Sequence, residues 1–278
     1  MKAFYLFITW ILALVPFNWN MAQNNSIEQP QTEMAGRKVF AVIVAVNDYQ
    51  LKNVGDLPSS VNNAEQMTAF IQTGKLGMVD KKNIVLLKNE AATKKAILSM
   101  MDSVFSKATE KDLIIFSFSG HGDKGYFLPQ DYIKSLTPSY LYHDEIKKII
   151  KKSKAKHKFI LADACFTGTF KKTKVTKDDT APVEPSKEDD SQVVVFMSCR
   201  ENETSIQSGE LGQGVFTYFL LKGMNGSADK NMDKVVTIEE LFYYVRDSTY
   251  SYTRKNWNHS QCPIMYGKFD KNLIISTF

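Results

Sequence analysis

Three runs rich in β-branched and aromatic residues, KVFAVIVAV (38–46), NIVLLKN (83–89) and DLIIFSFS (112–119), are separated by stretches whose apolar residues recur every three or four positions. A short continuous apolar run with polar flanks is a strand buried on both faces, and its alternation with amphipathic helices dictates a parallel sheet covered on both sides. Val61, Ala64, Thr68 and Ile71 mark the first helix. Thr93 caps a second, whose inner face is Ile97, Met100, Met101 and Val104. A third helix over 141–152 leads to a fourth strand, KFILADAC (158–165), and a fifth strand follows at QVVVFMS (192–198). A helix near 214–222 is closed by Gly223, and another opens on the capping box of Thr237 and Glu240 with Ile238, Leu241, Phe242 and Val245 on one face. The fold class is α/β.

The alternation is interrupted once. The segment TFKKTKVTKDDTAPVEPSKEDD (169–190) holds five lysines, six acids and two prolines, with little to bury. It reads as an exposed linker loop between residues 37–168 and 191–278 of one domain. At the other extreme, residues 1–23 carry one lysine and then an apolar stretch too short to span a bilayer comfortably. They read as a secretory signal peptide, followed by a short segment at 24–36, so the mature chain is expected to be secreted or periplasmic and without a membrane anchor. A net charge of +5 is too mild to imply nucleic acid. The lysines around Ile146, Ile149 and Ile150 are expected to be the solvated face of a helix.

The third and fourth strands end in residues that carry chemistry. The third runs into Ser119-Gly120-His121-Gly122, the fourth into Asp163-Ala164-Cys165. Neighbouring parallel strands bring both ends to one edge of the sheet, where an imidazole can take the proton of a thiol and release the nucleophilic thiolate. Gly120 and Gly122 are expected to leave room for a substrate, with the amides of Gly122 and Cys165 facing a developing oxyanion. The chain has three cysteines, so at least one is unpaired; pairing of Cys199 with Cys262 stays open, and Cys199, after the fifth strand, is on paper a second thiol near Cys165. His143 and His157 read as helix-surface residues, and no spacing supports a metal ligand set. No cofactor is expected.

The motifs FSFSGHG, YFLPQD (126–131), FILADACFTG, GQGVFTYFLLKGMNGSAD (212–229), TIEELFYYV (237–245) and QCP (261–263) follow one another over residues 37–267. In this order the chain resembles the caspase-like cysteine peptidases, within them the metacaspase and bacterial caspase-homologue branch. The resemblance implies a three-layer sandwich with a mostly parallel six-stranded sheet between helices. It also implies a large-subunit-like part at 37–168 and a small-subunit-like part at 191–278. By it His121 and Cys165 are the catalytic dyad of an endopeptidase acting on proteins or peptides, and Asp163, Ser119 and Asn63 form the substrate pocket. An acid in that pocket favours cleavage after Arg or Lys. The linker 169–190 is then a site for self-cleavage. The chain reads Asp-Ala-Cys-Phe-Thr-Gly where metacaspases usually read Asp-Ser-Cys-His-Ser-Gly. The segment after Gly168 is lysine-rich, with Asp178, Asp179, Glu188, Asp189 and Asp190 only later, which speaks against the calcium dependence of some metacaspases. The alternative is a catalytically inactive interaction domain of the same fold, which the presence of both dyad residues disfavours.

Overall fold

The structure is a computed structural model that describes residues 34–51, 54–123, 125–133, 139–164, 193–200, 203–267 and 269–278. The expected signal peptide, the linker 169–190 and Cys165 lie outside the described residues. Six strands form the central sheet: β1 (Lys38–Ala45), β2 (Met78–Lys88), β3 (Leu113–Ser119), β4 (His157–Asp163), β5 (Val193–Met197) and β6 (Ile264–Tyr266). Their order is β6-β5-β4-β3-β1-β2. All neighbours are parallel except β6, which runs antiparallel to β5.

Among the described residues five helices cover the sheet: α1 (Ser60–Gln72), α2 (Lys94–Phe105), α3 (His143–Lys152), α4 (Val215–Lys222) and α5 (Ile238–Trp257). Strand alternation sorts the core onto two faces. Val42, Val44, Ile114, Phe116 and Ile160 pack with Ile97, Met101 and Ile146 of α2 and α3. Ile43, Ile115, Phe159 and Leu161 pack with Met67, Leu220 and Leu241 of α1, α4 and α5. Fully burying a Val or Ile side chain contributes roughly 1.5–3 kcal/mol relative to leaving it exposed, so this two-sided apolar sheet is the main source of stability. Local signals agree with the packing. Thr93 accepts from the Ala96 N–H at 3.2 Å, and Thr237 with Glu240 closes the capping box of α5.

The differences from the sequence reading have physical causes. Strand β2 begins at Met78 rather than at residue 83, because two stretches pair with β1 on either side of a register shift and the exposed Asp80, Lys81 and Lys82 between them break the apolar run. Strand β6, only three residues long, carries too little pattern to be recognised. Gly223 follows α4 in right-handed conformation, not as a left-handed cap; a β-carbon there would meet Leu241 Cδ1 at 2.8 Å, so packing against α5 is what requires glycine. His143 is no surface residue: it is 1% exposed and its ring centroid lies 4.5 Å from that of Phe127. His157 opens strand β4 and is half-buried. Lys148, Lys151 and Lys152 of α3 are exposed, as a solvated face requires. Among the described residues no helix is long and apolar enough to cross a membrane.

Candidate active site

The site is set by strand register. Ser119 pairs with Asp163 as the last residues of β3 and β4, and Ala45 of β1 pairs with Ser119. Backbone hydrogen bonds carry this alignment just beyond the strands: Gly120 N–H donates to the Asp163 carbonyl at 3.2 Å and Ser198 N–H to the Ala162 carbonyl at 2.9 Å. His121 and Ala164, the residue before Cys165, therefore emerge at one carboxyl edge of the sheet, where open α/β sheets place their ligands. Cys165 itself lies outside the described residues.

His121 is held at two points. Its backbone N–H donates to Tyr49 Oη at 2.7 Å, and its ring Nε2 lies 3.1 Å from the Gly55 carbonyl oxygen. A carbonyl only accepts, so this contact requires the proton on Nε2 and leaves Nδ1 as the basic nitrogen of the neutral ring. Burial lowers the His121 pKa, and the Gly55 carbonyl opposes that shift. Tyr49 is buried, its phenol pushed upward by that burial. Gly55 has φ +85°, a conformation that favours glycine. Gly120 corrects the sequence reading. A β-carbon on it would lie 2.7 Å from Tyr49 Oη and 2.9 Å from the Phe118 ring, so its missing side chain admits Tyr49 rather than a substrate.

Asn63, Ser119 and Asp163 come together. Asn63 Nδ2 donates to Ser119 Oγ at 3.0 Å and to Asp163 Oδ2 at 3.1 Å. Two further donors come from the carboxyl-terminal part of the chain: Ser205 Oγ to Asp163 Oδ1 and Thr217 Oγ1 to Asp163 Oδ2, each at 2.6 Å. The Gly214 N–H donates to Asn63 Oδ1 at 2.8 Å. Gly214 is also the N-cap of α4 and has no capping side chain, so the Asp163 carboxylate occupies the place of one. Burial pushes the Asp163 carboxyl upward; the Ser205 and Thr217 hydroxyls and the Thr217 backbone N–H pull it back. A β-carbon at Gly214 would sit 2.2 Å from Asp163 Oδ2. Gln261 buttresses the Ser205 loop, donating to the Ser198 carbonyl at 3.0 Å and accepting from the Ile206 N–H at 2.9 Å.

Tyr49, Gly55, Ser205, Gly214, Thr217 and Gln261 were not identified as site residues from the sequence. Gly214 and Thr217 lie in GQGVFT and Gln261 in QCP, so their segments were visible but their partners were not. The other thiols are structural. Cys199 is 0% exposed, with its sulfur 3.4 Å from the Glu203 carbonyl, and Cys262 Sγ accepts from Arg200 Nη2 at 2.9 Å. Neither is in a disulfide. Burial makes Cys199 a small core residue rather than a second nucleophile. Among the described residues no three His, Cys, Asp or Glu side chains are grouped to hold a metal ion. The acids of the linker lie outside them.

A mostly parallel six-stranded sheet between two helical layers, with His121 at its carboxyl edge, is the arrangement of a caspase-like α/β fold. A family model described as the caspase domain matches residues 38–274, and the chain belongs to that family. Among solved structures, caspase-1 from Spodoptera frugiperda is similar, with a TM-score of 0.60, 10% identity and coverage of 87% of this chain and 93% of that one. A protein from Geobacter sulfurreducens is similar with a TM-score of 0.57, 16% identity and coverage of 87% and 99%. At these identities the likeness is one of fold. No curated protein matches the chain.

Proposed function

We propose that the chain is an exported cysteine endopeptidase that hydrolyses peptide bonds after Arg or Lys through His121 and Cys165. The observation that carries this reading is the support of His121: Nε2 fixed on the Gly55 carbonyl at 3.1 Å, at the strand edge that leads one residue past Ala164 to the thiol. In this reading Nδ1 of His121 takes the Cys165 proton, and the thiolate attacks the substrate carbonyl. The amides of Gly122 and Cys165 stabilise the oxyanion. His121 returns the proton to the leaving amine, and water releases the acyl group from sulfur. Asp163, with Asn63 and Ser119, supplies the negative pocket for the basic side chain.

One observation favours a second reading, a non-catalytic caspase-like interaction domain. The Asp163 carboxylate is engaged by internal donors and caps α4, a service it performs equally well in a scaffold. A peptide aldehyde or acyloxymethyl ketone ending in Arg or Lys separates the two. A single adduct mapped to Cys165 by mass spectrometry, lost in Cys165→Ala, supports the peptidase; no adduct on any cysteine supports the scaffold.

A further inference from the structure

The conformation of a residue is the rotation between the two rigid peptide planes that flank it, and both planes around His121 are pinned. Its carbonyl accepts from the Leu128 N–H at 2.9 Å, which fixes the plane shared with Gly122. Its own N–H donates to Tyr49 Oη at 2.7 Å, which fixes the plane shared with Gly120. The first bond is made by backbone alone, whereas the second rests on a side chain. That side chain is built into the fold. Tyr49 is buried, and its hydroxyl lies where a β-carbon on Gly120 would come within 2.7 Å of it. The Tyr49 ring also lies against the imidazole, with centroids 5.2 Å apart and planes at 45°. The residues just before it are tied down: Val46 N–H donates to the Ser119 carbonyl at 3.0 Å and Asn47 N–H to Asn89 Oδ1 at 3.1 Å. Burial pushes the phenol upward, so it stays neutral and accepts from the amide without placing a charge beside the ring.

Resting on the peptidase reading above, we infer that Tyr49 is a positioning residue for His121: its phenol oxygen holds the histidine backbone and its ring holds the imidazole, so that Nδ1 is presented in one direction. The Gly55 carbonyl settles which ring nitrogen carries the proton, and Tyr49 settles where the ring stands. Phenylalanine at 49 would fill the same space but leave the His121 N–H without its acceptor, and the peptide plane before the histidine would lose its anchor. The hydroxyl is bonded to the His121 backbone and not to its ring, so its contribution to the reaction passes through His121.

The test uses the purified full chain, a fluorogenic peptide ending in Arg, and alkylation of Cys165 by iodoacetamide at about pH 6, followed by mass spectrometry. A thiolate paired with an imidazole reacts at that pH, whereas an ordinary thiol with a pKa of about 8.5 is almost wholly protonated. Tyr49→Phe should lower both kcat and the alkylation rate by roughly three- to tenfold, the weight of one hydrogen bond, with KM within about twofold of wild type. In a His121→Ala background the same substitution should change the alkylation rate by less than about twofold, because no ring is left to position. Asn89→Gly removes the acceptor that holds the Asn47 amide at a site whose φ of 46° suits glycine. It should give the same pattern more weakly, so the assignment stays open to refutation if Tyr49→Phe fails to fold. An unchanged kcat in both variants, or alkylation that falls equally with and without His121, overturns the positioning role and leaves the peptidase reading standing. A wild-type thiol that alkylates no faster than free cysteine, in a chain that cleaves no peptide, overturns both.

Discussion

Ser119 and Asp163 are register partners at the carboxyl ends of adjacent parallel strands, and one side chain, Asn63 of α1, hydrogen-bonds to both. The contact ties the helical layer to the two strand ends that carry His121 and lead to Cys165. Mutations in this group are therefore expected to affect activity and stability together, because Asn63 and Ser119 are buried where the helix meets the strand ends.

Cys165→Ala and His121→Ala should each lower kcat/KM by roughly a thousandfold or more, and the double variant should be little worse than either, as for groups that act as a unit. Circular dichroism and thermal melts should remain close to wild type. Turnover that survives Cys165→Ala would exclude this thiol as the nucleophile.

The acid limb of kcat/KM should lie below the ordinary histidine value of about 6.5, because burial lowers the His121 pKa and only the neutral ring accepts a proton. A peptide ending in Gln is the right substrate, since its binding does not require the Asp163 charge. A limb at or above about 6.5 would contradict the lowering of the His121 pKa by burial.

His143 should make the fold acid-sensitive. Its pKa is lowered to about 3, first by burial and then by Lys147, while an unfolded histidine titrates near 6.5. The unfolded chain therefore binds the proton first. The stabilisation is fully present above about pH 6.5 and lost as pH falls towards the folded value, about 2 kcal/mol of it by pH 5. Urea titrations at pH 7 and 5 should show His143→Phe, which keeps an aromatic ring against Phe127, losing less stability on acidification than wild type.

Gly214→Ala should be damaging although its backbone, at φ −63° and ψ 136°, accepts any residue. The added methyl would stand 2.2 Å from Asp163 Oδ2 and 3.0 Å from Asn63 Nδ2, and overpacking of this kind costs about 1–3 kcal/mol. Hydrolysis after Arg and Lys should drop by at least about tenfold, with a smaller change on Gln peptides. Unchanged kcat/KM on basic peptides would remove Asp163 from the pocket.

The lysine-rich segment 169–190 should be cut during maturation, giving two pieces that stay associated through the shared sheet. Intact-mass analysis of fully active protein checks this. A single uncut species at full activity would show that cleavage is not required.

The strands and helices that build the sheet were legible in the chain because their signals are local. KVFAVIVA has no polar residue between its flanks, and Thr93, Thr237 and Glu240 satisfy helix ends within one turn. The two positions proposed as a dyad were legible for the same reason, since each follows the end of a recognisable strand. Contacts between distant segments were decided by the tertiary structure alone. Ser205 and Thr217 meet Asp163 from 42 and 54 residues away, and Tyr49 meets the His121 backbone across 72. Gly120 carries the difference in one residue: its sequence suggested space for a substrate, whereas the space is taken by Tyr49. A hydrophobic period is written along the chain, but whether a missing side chain makes room for a ligand or for a neighbour depends on what the packed layers bring there, and that is settled only when the sheet and its helices close.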